Sequence, residues 1–387
     1  MSQTQSPWNA DSLLKSEETV PAQTGPGVRA TNPSVKILTV EQAESKGWND
    51  MVAAHPLGSV FQHTAFLRMI AATFGQTRPY CVSLMDGHDR CLGGFALFRV
   101  KSWLTGCRLV SIPFAFYADP MIGSREEFEA LFKEVLRLSE QEKASYIEIK
   151  ALNSTHLLAE TSMVPVYYHK TYYLDLTRGL DALWEDFHRS SVKQKIRRAE
   201  RTGIQVRLAS SEQEVNVFHQ ILARNRKPLG LPPHKPEYFQ NTWRYLTPLG
   251  LARFWVAYLH DQMVGGLCTF SFKETVFLAY IAAEESLRND GLGQYLTWCV
   301  LRAASEEKLK IADTGKASPH DQGLVHYKLN WGTTELDTPV FYYPQVKGVS
   351  SFDNDRNPVY RLIRLFWRAM PLRLSGIPSR FMYRHMG

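Results

Sequence analysis

The chain predicts an α/β fold with mixed (α+β) sheets, built as two copies of one unit between a polar leader and a basic helical tail. Three observations carry that prediction. A strand–turn–strand pattern ending in Gly-Gly occurs twice, at Tyr80–Phe98 and at Phe254–Phe270. After each copy a strand, an amphipathic helix and another strand recur in the same order, the signature of a duplicated α/β unit. The polar and the strongly basic residues are segregated at the two ends.

Residues 1–34 are rich in Ser, Thr, Gln, Pro and Gly without an apolar run, which predicts a disordered leader and not a signal peptide. The first unit, 35–172, carries strands Tyr80–Met85 and Cys91–Phe98 around the turn Asp86–Asp89. Strand Arg108–Pro113, helix Ser124–Glu142 and strand Ser145–Lys150 follow. The second unit, 173–347, opens with a basic helix, Ser190–Gly203. Strands Phe254–Leu259, Met263–Phe270 and Thr275–Ile281 come next, then helix Asp290–Lys308, strand Lys310–Asp313 and a last strand Pro339–Tyr343.

At 387 residues with 44% hydrophobic content the chain can build two cores. Its five cysteines form no C-x-x-C pair, and they read as reduced thiols of a cytoplasmic protein. No apolar stretch reaches the ~20 residues of a spanning helix. No metal-spaced His/Cys cluster, Gly-x-Ser-x-Gly elbow or Walker loop occurs, so metal chemistry and α/β-hydrolase chemistry are not expected.

The net charge of +7 is matched by residues 356–387 of the tail 348–387 alone, which hold seven arginines and no acid. The body is balanced, which speaks against a DNA-binding protein. In the tail Tyr360, Ile363, Phe366, Trp367 and Met370 fall at helical spacing among the arginines. That pattern fits a helix lying on the inner face of an anionic membrane, or one docked on its own domain with a solvated cationic face. The docked helix is the simpler expectation.

Chemistry is predicted where the second copy differs from the first. Between its strand and helix runs Ile281-Ala-Ala-Glu-Glu-Ser-Leu-Arg-Asn-Asp-Gly-Leu-Gly293. Gly291 and Gly293 would bring bare backbone to a ligand, and the helix start offers free N–H groups and a positive dipole end. That suits a pyrophosphate, with Arg288 as a further cation. The first copy has Ser111-Ile-Pro-Phe-Ala-Phe-Tyr-Ala-Asp-Pro120 there, with two prolines and no paired glycines.

Arg288-x-x-Gly291-x-Gly293 resembles the pyrophosphate loop of the GCN5-related N-acetyltransferases (GNAT). Downstream, Asp313-Thr-Gly-Lys316 and Gly323-Leu-Val-His-Tyr-Lys-Leu-Asn-Trp-Gly332 look like the C-terminal signature of the FemAB-like acyltransferases, which carry two GNAT units in tandem. Further stretches, among them Phe61–Phe66, Leu109–Phe114, Lys193–Gly203 and Lys227–Pro232, are similar to the branch found with exopolysaccharide and exosortase systems.

The resemblance implies acyl transfer from acyl-CoA to an amine acceptor, a small molecule or a glycan or peptide of the cell envelope. The cofactor-binding candidates are Ile281, Ala283, Arg288, Asn289, Asp290, Gly291, Leu292 and Gly293. Strand-end amides at Ile281–Ala283 would polarise the thioester carbonyl. Glu284, Glu285 or Asp313 would take the amine's proton, and Tyr327 or Lys328 would assist the leaving sulfur or bind an acceptor phosphate. Two alternatives stand beside this: an aminoacyl-tRNA-dependent ligase of the same fold, using the basic helix 193–201, and a GNAT scaffold without chemistry that serves as an adaptor.

Overall fold

The computed structural model describes residues 34–103, 106–346 and 358–385. Residues 1–33 of the expected leader and 347–357 lie outside the described residues. The first unit runs β1 (Ser34–Leu38), α1 (Val40–Ser45), α2 (Trp48–Ala54), α3 (Thr64–Thr73), β2 (Thr77–Met85), β3 (Cys91–Ser102), β4 (Gly106–Ser111), α4 (Arg125–Glu142), β5 (Ile147–Lys150), α5 (Thr155–Ala159) and β6 (Val164–Asp175). The second runs α6 (Leu180–Asp186), α7 (Gln194–Arg201), β7 (Gln205–Leu208), α8 (Glu212–Arg226), α9 (Pro236–Leu246), β8 (Ala252–Leu259), β9 (Gln262–Phe272), β10 (Thr275–Ala283), α10 (Glu285–Arg288), α11 (Leu292–Glu306), β11 (Ile311–Ala317), α12 (Gln322–Leu329) and β12 (Thr334–Tyr343). Helices α13 (Pro358–Ala369) and α14 (Gly376–His385) form the tail.

Among the described residues twelve strands join one sheet, in the order β1-β2-β3-β4-β5-β12-β6-β11-β10-β9-β8-β7. The halves mirror each other, but their last strands are exchanged. β6, from the first unit, pairs antiparallel with β11, and β12, from the second, pairs antiparallel with β5. β6 and β12 also pair with each other and close the seam. Two contacts are parallel, β4 with β5 and β10 with β11, and each is bridged by one long helix, α4 or α11.

Strand alternation puts successive side chains into different cores. In β2, Tyr80, Val82 and Leu84 pack under α4, whereas Cys81 and Met85 face the core of α1–α3. With both faces covered, β2 is buried without a break from Tyr80 to Met85, a pattern periodicity alone cannot resolve. The core of α1–α3 continues into that of α8 and α9 on the second unit, while α6, α7 and α11 cover the other face. Leu292, Leu296, Val300 and Leu301 fix α11 to the sheet, each buried to 1% exposure or less. Each of these contributes about 1.5–3 kcal/mol. Gly265 allows the helix start to come this close: a Cβ there would lie 2.7 Å from Ala282 O and 3.0 Å from Leu292 Cδ2.

Candidate functional site

β10 and β11 pair only at Thr275–Phe277 with Ile311–Asp313, then part. Both strands are irregular where they separate. β10 shifts register against β9 between Leu278 and Tyr280, and β11 shifts against β6 between Asp313 and Lys316. Such bulges bend a strand and leave peptide groups unpaired. β11 was expected to end at Asp313; it continues through the bulge to Ala317, with Gly315 at φ +85°.

A cavity of about 360 Å³ occupies the gap. Leu278, Ala279 and Ile281 form one wall, Thr314, Gly315 and Lys316 the other. Thr297 of α11 and Leu324, Tyr327, Lys328 and Trp331 close it from the helical side, and Phe116 reaches in from the first unit.

The start of α11 lies at the end of this gap. Its N-cap, Gly291, makes no side-chain cap, and the first turn carries no acid. The N–H groups of Leu292, Gly293 and Gln294 therefore have no partner within the helix. The two glycines serve different ends. Gly291 (φ +88°) is pressed against α7: a Cβ there would sit 2.3 Å from Lys195 O. Packing against α7 thus requires a glycine here in its own right. A Cβ on Gly293 would meet only Ile281 Cδ1, at 3.6 Å. The open side of the helix start is thus the side facing Ile281 and the cavity.

The edge of β10 is partly closed as well. Asn225 of α8 donates from Nδ2 to Ala283 O (2.8 Å) and accepts from Ala283 N at Oδ1 (2.9 Å). Ala283 therefore has no free amide to polarise a carbonyl, contrary to expectation. Strand alternation turns the N–H and C=O of Ile281 toward the same edge, where β11 has already moved away. Ile281 thus presents its amide at the opened edge of β10.

The expected acid–base residues separate into two groups. Tyr327 and Lys328 line the cavity. Glu284 does not: it follows β10 and ion-pairs with Arg224. Asp313 is 2% exposed, and it accepts from Thr171 Oγ1 (3.0 Å) and Gly315 N (2.7 Å). Burial raises its pKa, opposed by those hydrogen bonds and by Lys328. It is a buried anchor of the bulge beneath the lysines. Arg288 and Asn289 are exposed, and Asp290 pairs with Arg198 at 3.6 Å.

Lys316, not among the expected site residues, becomes prominent in the fold. Desolvation, with Lys150 nearby, pushes its pKa down to about 7. Lys328, whose Nζ donates to Thr314 O, is pushed down to about 8 by burial, against the pull of Asp313. Burial raises the Tyr327 phenol, opposed by hydrogen bonds from Trp331 and Thr297. An indole can only donate, so the Tyr327 oxygen accepts there. The sequence placed Lys316 close to Tyr327 and Lys328 but gave no sign of its desolvation. Among the described residues no group of three or more His, Cys, Asp or Glu could hold a metal.

Residues 186–329, spanning the end of α6 to the end of α12, match the family described as an acetyltransferase (GNAT) domain. No curated protein matches the chain. Among solved structures, FemX is similar over 86% of this chain and 100% of its own, at 15% identity and TM-score 0.65. A tandem GNAT protein from the clavulanic acid biosynthesis pathway is similar over 80% and 98%, at 14% identity and TM-score 0.52. A conserved protein of unknown function from Bacteroides thetaiotaomicron is similar over 80% and 98%, at 10% identity and TM-score 0.54. The fold is therefore that of tandem GNAT, FemAB-like proteins, with the matched domain in the second unit.

Proposed function

We propose that this FemAB-like tandem GNAT protein is an N-acyltransferase whose second unit takes acyl-CoA as donor. The observation that carries the reading is the uncapped start of α11 opening beside a splayed, bulged β10 and a cavity holding Lys316. The amides of Leu292, Gly293 and Gln294 would receive the pyrophosphate, and the Ile281 N–H would receive the thioester carbonyl oxygen. The acceptor nitrogen attacks the carbonyl carbon, a C–N bond forms and the C–S bond breaks. Lys316, near half-neutral at pH 7, takes the ammonium proton. The departing thiolate takes its proton from Tyr327, with Lys328 as a neighbouring cation. The acceptor is proposed to be the amine of a sugar or peptide in cell-envelope or exopolysaccharide synthesis, which rests on the sequence motifs.

A second donor class is favoured by one observation: Arg197, Arg198 and Arg201 of α7 are exposed beside the helix start. Such a cationic face suits the 3′-phosphate of coenzyme A, and it equally suits the backbone of an aminoacyl-tRNA. Calorimetric titration with coenzyme A tests the proposal. Binding that Gly293→Asp weakens by about 100-fold supports it; no heat with coenzyme A, together with salt-sensitive retention of aminoacyl-tRNA, would favour the ligase. Failure of both ligands would leave the adaptor.

A further inference from the structure

Helix α13 is held on the body by one side only. Trp367 of α13 is buried, and Arg364 Nε and Arg368 Nε donate to Leu229 O (3.1 Å) and Pro228 O (3.0 Å). The turn beneath is moulded to it: a Cβ on Gly230 (φ +68°) would lie 2.5 Å from Arg364 O. The side of α13 bearing Trp367 is thus held on the body.

Three of its apolar residues face away. Leu362, Leu365 and Phe366 are 66%, 56% and 52% exposed. At 3.6 residues per turn they share a sector of about 100°. Arg361 and Arg368, both exposed, run along one edge of that sector. The helix is docked on its own domain, but its solvated side is an apolar stripe with arginines along one edge, not the purely cationic face expected. Leu374, and Phe381 of α14 in ring contact with Trp103 at 6.2 Å, add exposed apolar surface to the same segment. The side chain of Tyr360 is outside the described residues.

We propose that α13, with the adjoining part of α14, seats the protein in the plane of an anionic lipid surface. Leu362, Leu365 and Phe366 would enter the boundary between headgroups and acyl chains while the arginines meet lipid phosphates. Charge selects this occupant. Residues 356–387 carry seven arginines and no acid, so a second copy would bring like charge against like. Among the described residues no helix is long and apolar enough to cross a membrane, consistent with in-plane seating. The gripped turn 228–230 continues directly from α8, whose Asn225 holds the edge of β10.

Flotation of the full chain with vesicles tests the seating. Vesicles of phosphatidylcholine and phosphatidylglycerol at about 3:1 should carry the protein upward, pure phosphatidylcholine should not, and added salt should weaken capture. Leu362→Asp with Phe366→Asp should lower capture by at least about tenfold and leave the thermal midpoint and coenzyme A titration unchanged, since both side chains are solvent-exposed. Arg361→Glu should give a smaller loss. Absence of capture by the anionic vesicles, or equal capture of the double variant, would overturn the proposal. So would a dimer in sedimentation equilibrium that the double variant dissolves, because a second copy would then cover the stripe. Vesicle binding without coenzyme A binding would defeat the acyl-CoA reading alone.

Discussion

The two parallel strand pairs of this sheet start alike and end differently. β4 meets β5 at Leu109–Ile147 and Val110–Glu148, then parts from it as β10 does from β11. In the first unit the gap is filled by its own loop. Ala118 N donates to Lys150 O (3.0 Å), Lys150 N to Ser111 Oγ (2.9 Å), and Lys150 Nζ to Ile112 O (3.3 Å). Buried Asp119 gathers the amides of Leu152, Asn153 and Ser154 at 2.8–2.9 Å. The start of α4 is closed too: Glu127 N donates to Ser124 Oγ at 3.3 Å, and Glu126 and Glu127 stand in the first turn. Those acids would repel a phosphate, whereas α11 starts with bare glycine and no acid. One topology thus serves stability in one half and leaves room for a ligand in the other. The choice is made by the residues between strand and helix.

Four substitutions test that contrast. Lys316→Met should have the largest effect, lowering kcat/KM for acyl transfer by roughly 10²–10⁴-fold. In the unmodified protein the rate should climb with pH through about 7, because Lys316 acts only once its Nζ has lost its proton. That limb should vanish in the variant, and its survival would remove Lys316 as the base. Gly293→Asp places a carboxylate over the free amides and should weaken coenzyme A by about 100-fold in titration, with the fold intact. Gly291→Ala should do the reverse. It meets Lys195 O and must hold φ +88°, so it should cost about 1–3 kcal/mol of stability. A melt unchanged in Gly291→Ala would show that α7 does not clamp the helix start. Ser124→Ala is the smallest, about 1 kcal/mol from the lost cap, with no change in coenzyme A affinity.

Much of this architecture was legible in the residues. The Gly-Gly hairpins, Ser124 as a helix start and the order of strand, helix and strand all report local rules, and the structure follows them within a few residues. The exchange of β6 and β12 was not legible, because partner choice between equivalent strands depends on contacts far apart in sequence. The site divides the same way. The free amides of α11 follow from glycine and strand–helix order, and Tyr327 and Lys328 from their motif. The depressed Lys316, the Asn225 clamp on Ala283 and the burial of Gly291 under Lys195 arise only when α7, α8 and the first unit's loop converge. Spacing along one segment carries no record of that convergence.

The exchanged strands bear on how the protein is made. Since β12 is the neighbour β5 requires, the amino-terminal half keeps an open sheet edge until residues 334–343 have been synthesised. Maturation on the ribosome is thereby postponed until β12 has emerged, and severing the halves would leave each with an unsatisfied border prone to aggregate.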